Sequence, residues 1–410
     1  MTRRVIQLIV ICSVLLVAVA AQAAGFGIYE YSARANALGN SVMAGKADPS
    51  SIAINPAQLT ELEGTQFALG VSGIYPSATV KIDSPAEDAG SYDGESSLWT
   101  IPHFYATHAL TDDVYVGVGV FSRFGLGTKF DSDWPGASDV HDVRIRSVSI
   151  NPLIGYKVTK NFSVAIGPEI MWFDFMLKKK TGHPMIPGYL DTKMSGDSWG
   201  AGVSVGARYQ ITEWLSAGAS YRSQVTQSVK GDINMDAGSN RIKDTSASGK
   251  ITLPEQVGFG INVKPTDKLS VEVGATWIGW SSYSELKVEF EGGPFVKKSD
   301  YKDTWRYNAG AEYALTENWD VRASYVYDNS PLNGDSLSYM VPANDRHLFG
   351  FGAGWHNESW SVDASYNYLL MKERSATVHV TKSNGMPYAQ KGEFKDGDAH
   401  IFGLTVGYRF

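Results

Sequence analysis

The stretch that decides the fold is the last one in the chain, FGLTVGYRF at residues 402–410. Every second residue in it is large and apolar, and the residues between them are small or polar. A period of two places the large residues on one face of a β-strand. An apolar face opposite a small or polar face is typical of a transmembrane barrel strand, so we expect this strand to contact lipid. The apolar set is Phe402, Leu404, Val406, Tyr408 and Phe410.

The same alternation recurs upstream, and the apolar faces there carry aromatic residues near their ends. Trp319, Val321 and Tyr325, for example, alternate with Asp320 and Arg322. Aromatic side chains of this kind favour the membrane–water boundary. The opposite faces carry charges of both signs, which indicates that they line an interior rather than contact lipid. The other stretches with this pattern are 360–368 and 215–222.

Turn signals divide the chain into a regular series of strands. Six short turns alternate with seven longer polar segments, which predicts fourteen strands. An even number of strands, short turns on one side and long loops on the other are typical of outer-membrane barrels, and a sheet in hydrocarbon has to close. The short turns are at 111–113, 159–161, 212–214, 266–268, 316–318 and 357–359, and the longer segments are at 83–95, 125–142, 179–197, 231–248, 291–300, 330–344 and 376–395.

The segment from Ala24 to Leu62 differs from everything that follows it, because it is rich in glycine, alanine and serine and has no strand period. The interior of a fourteen-stranded barrel is too wide for wall side chains alone to fill. We therefore predict an all-β fold, a 14-stranded antiparallel transmembrane β-barrel, with residues 24–63 as an N-terminal hatch inside the lumen and residues 64–410 as the barrel.

Residues 1–23 have the features of a signal peptide. Arg3 and Arg4 precede a short apolar run, and the small residues around Gln22 predict cleavage after Ala23. The single cysteine, Cys12, would leave with this segment, as would two positive charges, taking the formal net charge from −7 to −9. An acidic mature chain without a basic patch argues against nucleic acid as a partner. No later segment has 18 consecutive apolar residues, so we expect no membrane-spanning helix in the mature chain. Together with the signal peptide and the alternating strands, this predicts an exported barrel in the outer membrane of a Gram-negative bacterium.

One motif in the chain has an enzymatic counterpart. Residues 202–206 read GVSVG and fit G-x-S-x-G, but a nucleophile elbow needs a sharp strand-to-helix turn, and this motif lies within an alternating strand. The eight histidines form no H-E-x-x-H pattern, and there is no phosphate loop or Cys/His metal spacing. We expect no catalysis, no metal and no cofactor.

Several stretches together resemble the FadL family of outer-membrane long-chain fatty-acid transporters, and the resemblance covers essentially the whole chain. The start of the predicted mature chain, AGF at 24–26 with Glu30 after it, and the NPA sequence at 55–57 are similar to the family's hatch. The later strands match in order and spacing. These matches are LPEQVGFGINVKP at 253–265, YKDTWRYNAG at 301–310, YDNSP at 327–331 and NDRH at 344–347.

The resemblance implies a hydrophobic binding site above the hatch and passive transport. Hydrophobic substrate would be captured in a pocket, a hatch movement would release it, and it would leave sideways where the third strand kinks near Phe124 and Gly125. The alternative is that Gly125 only begins an external loop. The residues implied for the hatch and pocket are Gly25, Phe26, Asn55, Pro56 and Ala57, although the NPA sequence also fits a simple turn and Phe26 also fits plug packing.

The resemblance further implies that Lys179 and Lys297 bind the carboxylate of an acid, although both also read as ordinary solvated loop lysines. Lysine lacks the bidentate geometry of arginine. The alternative function is uptake of aromatic or aliphatic hydrocarbons by the same fold, which an uncharged pocket would favour. We interpret the inward charges as a structural salt-bridge network; they are Arg222, Glu272, Arg306, Glu312, Arg322 and Asp363.

Two other classes are less compatible with the sequence. A general diffusion porin needs an open polar lumen, which the hatch argues against, and an outer-membrane lipase needs a Ser–His pair at the barrel wall, which is not visible. The expected partners are hydrophobic small molecules, fatty acids first and hydrocarbons second, together with outer-membrane lipid and lipopolysaccharide. Nothing in the sequence requires more than a monomer.

Overall fold

The computed structural model describes residues 25–291, 293–334 and 337–410. The predicted signal peptide, with Cys12, and Ala24 lie outside these ranges. Within them fourteen strands form the wall, several of them in two segments. They are β1 (Thr65–Ser84), β2 (Trp99–Ala109), β3 (Val114–Phe121 and Gly125–Lys129), β4 (Asp142–Lys157), β5 (Phe162–Gly182), β6 (Tyr189–Thr212), β7 (Leu215–Arg222 and Val225–Ala237), β8 (Asn240–Leu253 and Gln256–Thr266), β9 (Leu269–Ile278 and Glu285–Phe290), β10 (Phe295–Lys298 and Thr304–Ala314), β11 (Trp319–Asp328), β12 (Arg346–His356), β13 (Trp360–Met371 and Arg374–Thr381) and β14 (Pro387–Arg409).

The wall is closed and antiparallel throughout. Each strand pairs with its neighbour in sequence, and β14 returns to β1 in a register that runs from Gln66 opposite Arg409 to Ser84 opposite Lys391. Closure of the sheet is the condition for a β-protein in hydrocarbon, where a free sheet edge would leave backbone groups unpaired. The predicted 14-stranded antiparallel barrel is confirmed. A short strand, Gly90–Asp93, pairs with the outer end of β1.

In the last strand the apolar residues face outward and the small or polar residues face inward, as predicted. Phe402 and Leu404 are each 51% exposed on the outer face, whereas Thr405 points inward and is 5% exposed. The same holds in β11, where Trp319 and Val321 are exposed and Asp320 is buried. The period of two therefore separates a lipid-facing surface from a lumen in both strands.

The short turns lie where the sequence predicts them, but three of the predicted long loops are wrong. The segments 179–197, 231–248 and 376–395 consist mostly of strand, with tight turns only near 183–188, 238–239 and 382–386. These hairpins extend past the apolar band. On β5, for example, the outer face changes from Ile166 and Ile170, both exposed, to Asp174 and Lys178. Outside the bilayer both faces can be polar, so the strand has no alternation by which sequence reveals it.

Residues 25–62 lie inside the barrel, and the chain joins the wall at β1. The segment contains a single turn of helix, α1 (Ala33–Ala37), and two 3-10 turns, Pro49–Ala53 and Pro56–Glu61. Each begins at a polar capping residue, because Ser32, Asp48 and Asn55 accept hydrogen bonds from backbone N–H groups of the following turn. In the described ranges the helices are all short, and none is long and apolar enough to cross a membrane.

Candidate functional site

An aromatic cluster surrounds the first residues of the described chain. The ring of Phe26 is 1% exposed and lies with its centroid 4.8 Å from Trp280, 5.2 Å from Tyr283 and 6.0 Å from Phe124. Gly25 has a φ of +64°, and a Cβ built there would lie 2.7 Å from the Trp280 ring. Only glycine accommodates both the backbone angle and this close approach. Of the predicted hatch residues, Gly25 and Phe26 therefore lie together against the wall.

The third strand is interrupted where it meets this cluster. Strand β3 stops at Phe121 and resumes at Gly125, and the ladder between β2 and β3 runs only to Phe104 opposite Val120. The N-terminal segment pairs with the interrupted part instead, through a bridge between Gly27 and Phe124. The N–H of Ile28 donates to the Arg123 carbonyl at 2.7 Å, and the N–H of Gly125 donates to the Phe26 carbonyl at 2.8 Å.

An apolar cavity lies on the inner face of the long strands β5 to β9. Its lining includes Phe173, Phe175, Met194, Leu286 and Val288. The same buried hydrophobic cluster continues to Phe26, Phe124 and Trp280. A hydrophobic molecule in the cavity would therefore remain in contact with apolar side chains as far as the interrupted part of β3.

The two predicted lysines lie on the inner face beyond this cavity, toward the outer ends of their strands, and neither belongs to its lining. Lys179 is on the same face of β5 as Phe173 and Phe175, because all three positions are odd in one continuous strand. Its Nζ lies 5.2 Å from the centroid of the Phe295 ring. Lys297 stands opposite Leu286 in the β9–β10 hairpin. The structure thus places the two lysines on the inner surface beyond the same end of the cavity, one on β5 and one on β10.

The two lysines differ in their partners. Lys297 Nζ bonds to the carboxylate of Asp139 and donates to Ser338 Oγ at 2.6 Å, and Asp139 also accepts from the Tyr339 N–H at 2.8 Å. Lys179 forms no ion pair within the described residues. Burial lowers the pKa of Lys179 to about 8, with Asp139 opposing the change and Lys297 adding to it. Burial also acts to raise the pKa of Asp139, but Lys297 and Lys179 outweigh it and hold that pKa below its usual range.

The predicted NPA residues fasten the plug to the wall. The side-chain oxygen of Asn55 accepts from the Ala57 N–H at 3.0 Å, and its Nδ2 donates to the Met43 carbonyl at 2.7 Å and to the Ala207 carbonyl at 3.0 Å. Pro56 occupies the first position of the turn, where a missing N–H costs nothing. Asn55 is fully buried, so its amide joins two parts of the plug to β6 without access to water.

Four of the six inward charges belong to ion pairs, as predicted. Arg322 Nε donates to Glu312 at 2.6 Å and Arg322 Nη1 to Asp363 at 2.6 Å, while Arg34 of the plug donates to Glu312 at 2.8 and 3.1 Å. The fourth, Arg222, pairs with Glu169 at 3.2 Å; Glu169 also accepts from Arg123 at 2.9 Å. Plug and wall therefore share buried charge networks.

The prediction is wrong for the other two inward charges. Glu272 accepts three backbone N–H groups of the plug, those of Met43 at 2.5 Å, Ala44 at 3.0 Å and Gly45 at 2.8 Å, and has no arginine partner in the described ranges. Arg306 likewise pairs with no described carboxylate. Which inward charge meets a partner depends on how the plug lies in the lumen, and strand periodicity carries no such information.

Sequence reasoning missed three residues that define the site: Trp280, Tyr283 and Asp139. Trp280 and Tyr283 lie in the bend between the two segments of β9, and Asp139 lies in the connection between β3 and β4. All three are outside regular strands, so no periodicity marks them. The G-x-S-x-G serine, Ser204, is buried within β6, and its hydroxyl donates to Asn151 at 3.1 Å.

The closed barrel with an apolar outer face, the occluded lumen and the apolar cavity on the inner face of the wall together define a class of protein, the outer-membrane β-barrel transport proteins. The family model described as "Outer membrane protein transport protein (OMPP1/FadL/TodX)" matches residues 14–410. The chain belongs to this family and is located in the outer membrane.

Relatives and solved structures agree with this assignment. A long-chain fatty acid transport protein of Salmonella typhi is 24% identical over 433 residues, covering 97% of each chain. The crystal structure of a Pseudomonas aeruginosa FadL homologue has a TM-score of 0.85 at 20% identity and covers 94% of this chain and 100% of that one. The Ralstonia pickettii toluene transporter TbuX has a TM-score of 0.70 at 18% identity and covers 94% and 98%. At these identities the two structures show the same fold.

Proposed function

We propose that this protein takes up long-chain fatty acids, and that Lys179 binds their carboxylate while the apolar cavity holds the acyl chain. The observation that carries the proposal is a cation without an ion pair on the same face of β5 as Phe173 and Phe175, which line the apolar cavity. Each buried methylene contributes roughly 0.8 kcal/mol, so a long chain gains enough from the cavity to leave the outer surface. Lys297 contributes less, since its charge is already engaged by Asp139.

The proposed route ends at the interrupted strand. Residues 24–63 act as a hatch, and rearrangement of Phe26 and its neighbours opens the way from the cavity to the break in β3 near Phe124 and Gly125. Substrate then leaves sideways into the membrane without crossing a water-filled channel. The continuous apolar cluster from Phe173 to Phe124 supports this route, and so does the pairing of Gly27 with the interrupted segment. Movement is passive, driven by the substrate gradient.

The same surfaces suggest how the protein sits in its membrane. The exposed apolar band contacts outer-membrane lipid, and the charged strand extensions beyond it lie among lipopolysaccharide head groups. We propose that the protein works as a monomer, because one chain contains the closed wall, the hatch and the cavity. Its chemistry is transport rather than catalysis.

Uptake of aromatic or aliphatic hydrocarbons is the second candidate function. The cavity lining is almost wholly apolar, and Asp139 already neutralises one of the two lysines. A neutral ligand would then bind without using Lys179.

The deciding experiment compares oleate with heptadecane, a neutral chain of similar length, for binding to the purified protein in detergent. The variant is Lys179→Met, which keeps the apolar stem against Phe295 and removes the charge. Lys178→Met is the matched control, because Lys178 lies next to Lys179 but on the opposite face, where it is paired with Asp142 at 2.8 Å. We expect Lys179→Met to weaken oleate binding about tenfold, which corresponds to about 1.4 kcal/mol, and to leave heptadecane binding unchanged.

Two outcomes would change the proposal. Equal binding of both ligands by all three proteins would favour a hydrocarbon transporter. Loss of oleate binding in Lys178→Met to the same extent as in Lys179→Met would mean that the effect is a general one of surface charge.

A further inference from the structure

A second cavity lies lower in the lumen, between the plug and the wall. Tyr29, Asn40 and Met43 line it from the plug, and Arg306 and Asn308 line it from β10. It lies just beneath the aromatic cluster, since a Cβ built on Gly27 would be 3.1 Å from the Tyr29 hydroxyl and 3.5 Å from the Trp280 ring. Unlike the upper cavity, this one has a mixed lining, in which polar groups stand beside apolar side chains such as Ile54 and Phe259.

Arg306 is the unusual residue of this cavity. It is 4% exposed, and its guanidinium lies over the Tyr29 ring with 4.6 Å between the carbon Cζ and the ring centroid. Nη1 donates to the Gly39 carbonyl at 3.2 Å, but the buried Nε has no partner. Arg34, Arg222 and Arg322 in the same lumen all contact carboxylates. A buried guanidinium that lacks a counter-charge is costly unless something polar occupies the space beside it.

The carboxylates on neighbouring elements form no ion pair with Arg306. Asp328 stands opposite Arg306 on β11, but its Oδ2 accepts from Arg346 Nη2 at 2.5 Å and its Oδ1 has no hydrogen-bond partner. Glu30 of the plug accepts from the backbone N–H of Tyr29 at 3.0 Å. Neither forms an ion pair with Arg306 in the described ranges. The Nε–Nη2 edge of the guanidinium, which is the edge that binds a carboxylate through two parallel hydrogen bonds, is therefore left available.

A second unpartnered donor faces the same space. The hydroxyl of Tyr29 is buried without a hydrogen-bond partner, and so is Oδ1 of Asn40. A carboxylate on Arg306 would accept from the guanidinium edge and from the Tyr29 hydroxyl. Buried polar groups in folded proteins are almost always satisfied, so two unpartnered donors beside one cavity, Arg306 Nε and the Tyr29 hydroxyl, indicate an occupant that accepts hydrogen bonds.

We propose that this cavity is a second carboxylate site, in which Arg306 and the Tyr29 hydroxyl hold the head group of an acid that has passed the aromatic cluster. The inference rests on the proposed function, because it supposes that acids enter the lumen. It adds a step to that function: the head group moves from Lys179, beyond the outer end of the apolar cavity, to Arg306 below Phe26 and Trp280.

The test isolates the inner site by measuring binding in a Lys179→Met background. Oleate and oleyl alcohol are titrated into the purified full-length protein in detergent, with Arg306→Gln, Arg306→Lys and Tyr29→Phe each added to that background. We expect Arg306→Gln to weaken the remaining oleate binding at least tenfold and to leave oleyl alcohol binding unchanged. Arg306→Lys should restore part of the affinity for oleate, and Tyr29→Phe should weaken oleate binding less than Arg306→Gln.

Arg208→Gln is the matched control. Arg208 also joins the wall to the plug, but its guanidinium is fully engaged, with Glu61 at 3.2 Å and the Ala44 carbonyl at 3.2 Å. Arg208→Gln should therefore leave the ratio of the affinities for oleate and oleyl alcohol unchanged, even if it lowers the thermal unfolding midpoint. The thermal unfolding midpoint of Arg306→Gln is measured as well, so that the loss of stability in the two arginine variants can be compared.

Three results would overturn the inner site. If Arg306→Gln weakens the binding of oleate and of oleyl alcohol equally, Arg306 only holds the plug. If oleate binding is unchanged in that variant, the cavity holds water alone. If Lys179→Met by itself abolishes oleate binding, no second site exists. Failure of the proposed function is distinct, since the protein with Lys179 intact would then show no preference for oleate over the alcohol.

Discussion

Lys179 is the residue whose charge state the proposed function depends on most directly. It lies beyond the apolar band of β5, and burial lowers its pKa to about 8. Its charged form is present below that pH and is lost as the pH rises through it. A bound carboxylate stabilises the charged form and would raise the pKa of Lys179 in turn.

We predict that oleate affinity falls about tenfold between pH 7 and pH 9, because at one unit above the pKa only about one tenth of Lys179 remains charged. The measurement is a binding isotherm at each pH, with oleate kept ionised throughout. Oleyl alcohol should show no such dependence. A fall of equal size in Lys179→Met would assign the titration to another group.

At the scale of the element, strand β3 is the most informative part of the wall. A glycine at position 125 indicates a possible bend, but sequence does not reveal that residues 122–124 pair with the plug. That pairing joins Gly27 to Phe124, residues nearly a hundred positions apart in the chain, and it exists only because the plug folds back to this part of the lumen. The interruption and the hatch are therefore one structural unit.

This unit can be locked by a disulfide. The hydrogen bonds on either side of Gly27 and Phe124 make them a non-hydrogen-bonded antiparallel pair, with Cα atoms about 4.5 Å apart, which is within the range that a disulfide accepts. We predict that Gly27→Cys/Phe124→Cys loses oleate uptake when oxidised and regains it on reduction, because the hatch can no longer leave β3. The measurement is uptake of labelled oleate by cells that have no other outer-membrane transporter for fatty acids.

The single variant Phe124→Cys controls for loss of the aromatic ring, and its uptake should not respond to oxidant. The predicted mature chain has no other cysteine, so no competing disulfide can form. Full uptake by the oxidised double variant would show that transport does not require the plug to separate from β3.

At the scale of the whole molecule, the wall keeps part of its charge pairing without the plug, although wall residue Arg208 pairs with Glu61 of the plug. Arg322 keeps Glu312 and Asp363 as partners when Arg34 is removed. The ladder closes through β1 and β14, with no plug residue between them. We therefore expect the closed sheet to hold the barrel together without the plug.

We predict that deletion of residues 25–62 leaves a folded barrel that conducts ions. In planar bilayers the deleted protein should give discrete current steps, whereas the intact protein should give none, because the plug fills the space between the inner faces. Heat-dependent migration of the deleted protein in gels checks that the barrel is folded. Absence of conductance from a folded barrel would mean that the apolar cavity side chains close the lumen without the plug.

Sequence alone determined the barrel and the number of its strands, because lipid on one side and lumen on the other impose a period of two on each membrane-spanning segment. It also distinguished the aperiodic N-terminal segment from the wall. The positions of Lys179 and Lys297 came from family resemblance rather than from periodicity.

Tertiary structure decided everything that depends on contacts between distant parts of the chain. Arg34 and Glu312 are 278 positions apart, and which arginine finds a carboxylate is determined by the position of the plug in the lumen. The extended hairpins were also hidden, because water on both sides removes the alternation that marks a strand. The local sequence pattern indicates whether each face of a strand contacts lipid or the lumen, but it does not indicate which side chains meet across the lumen.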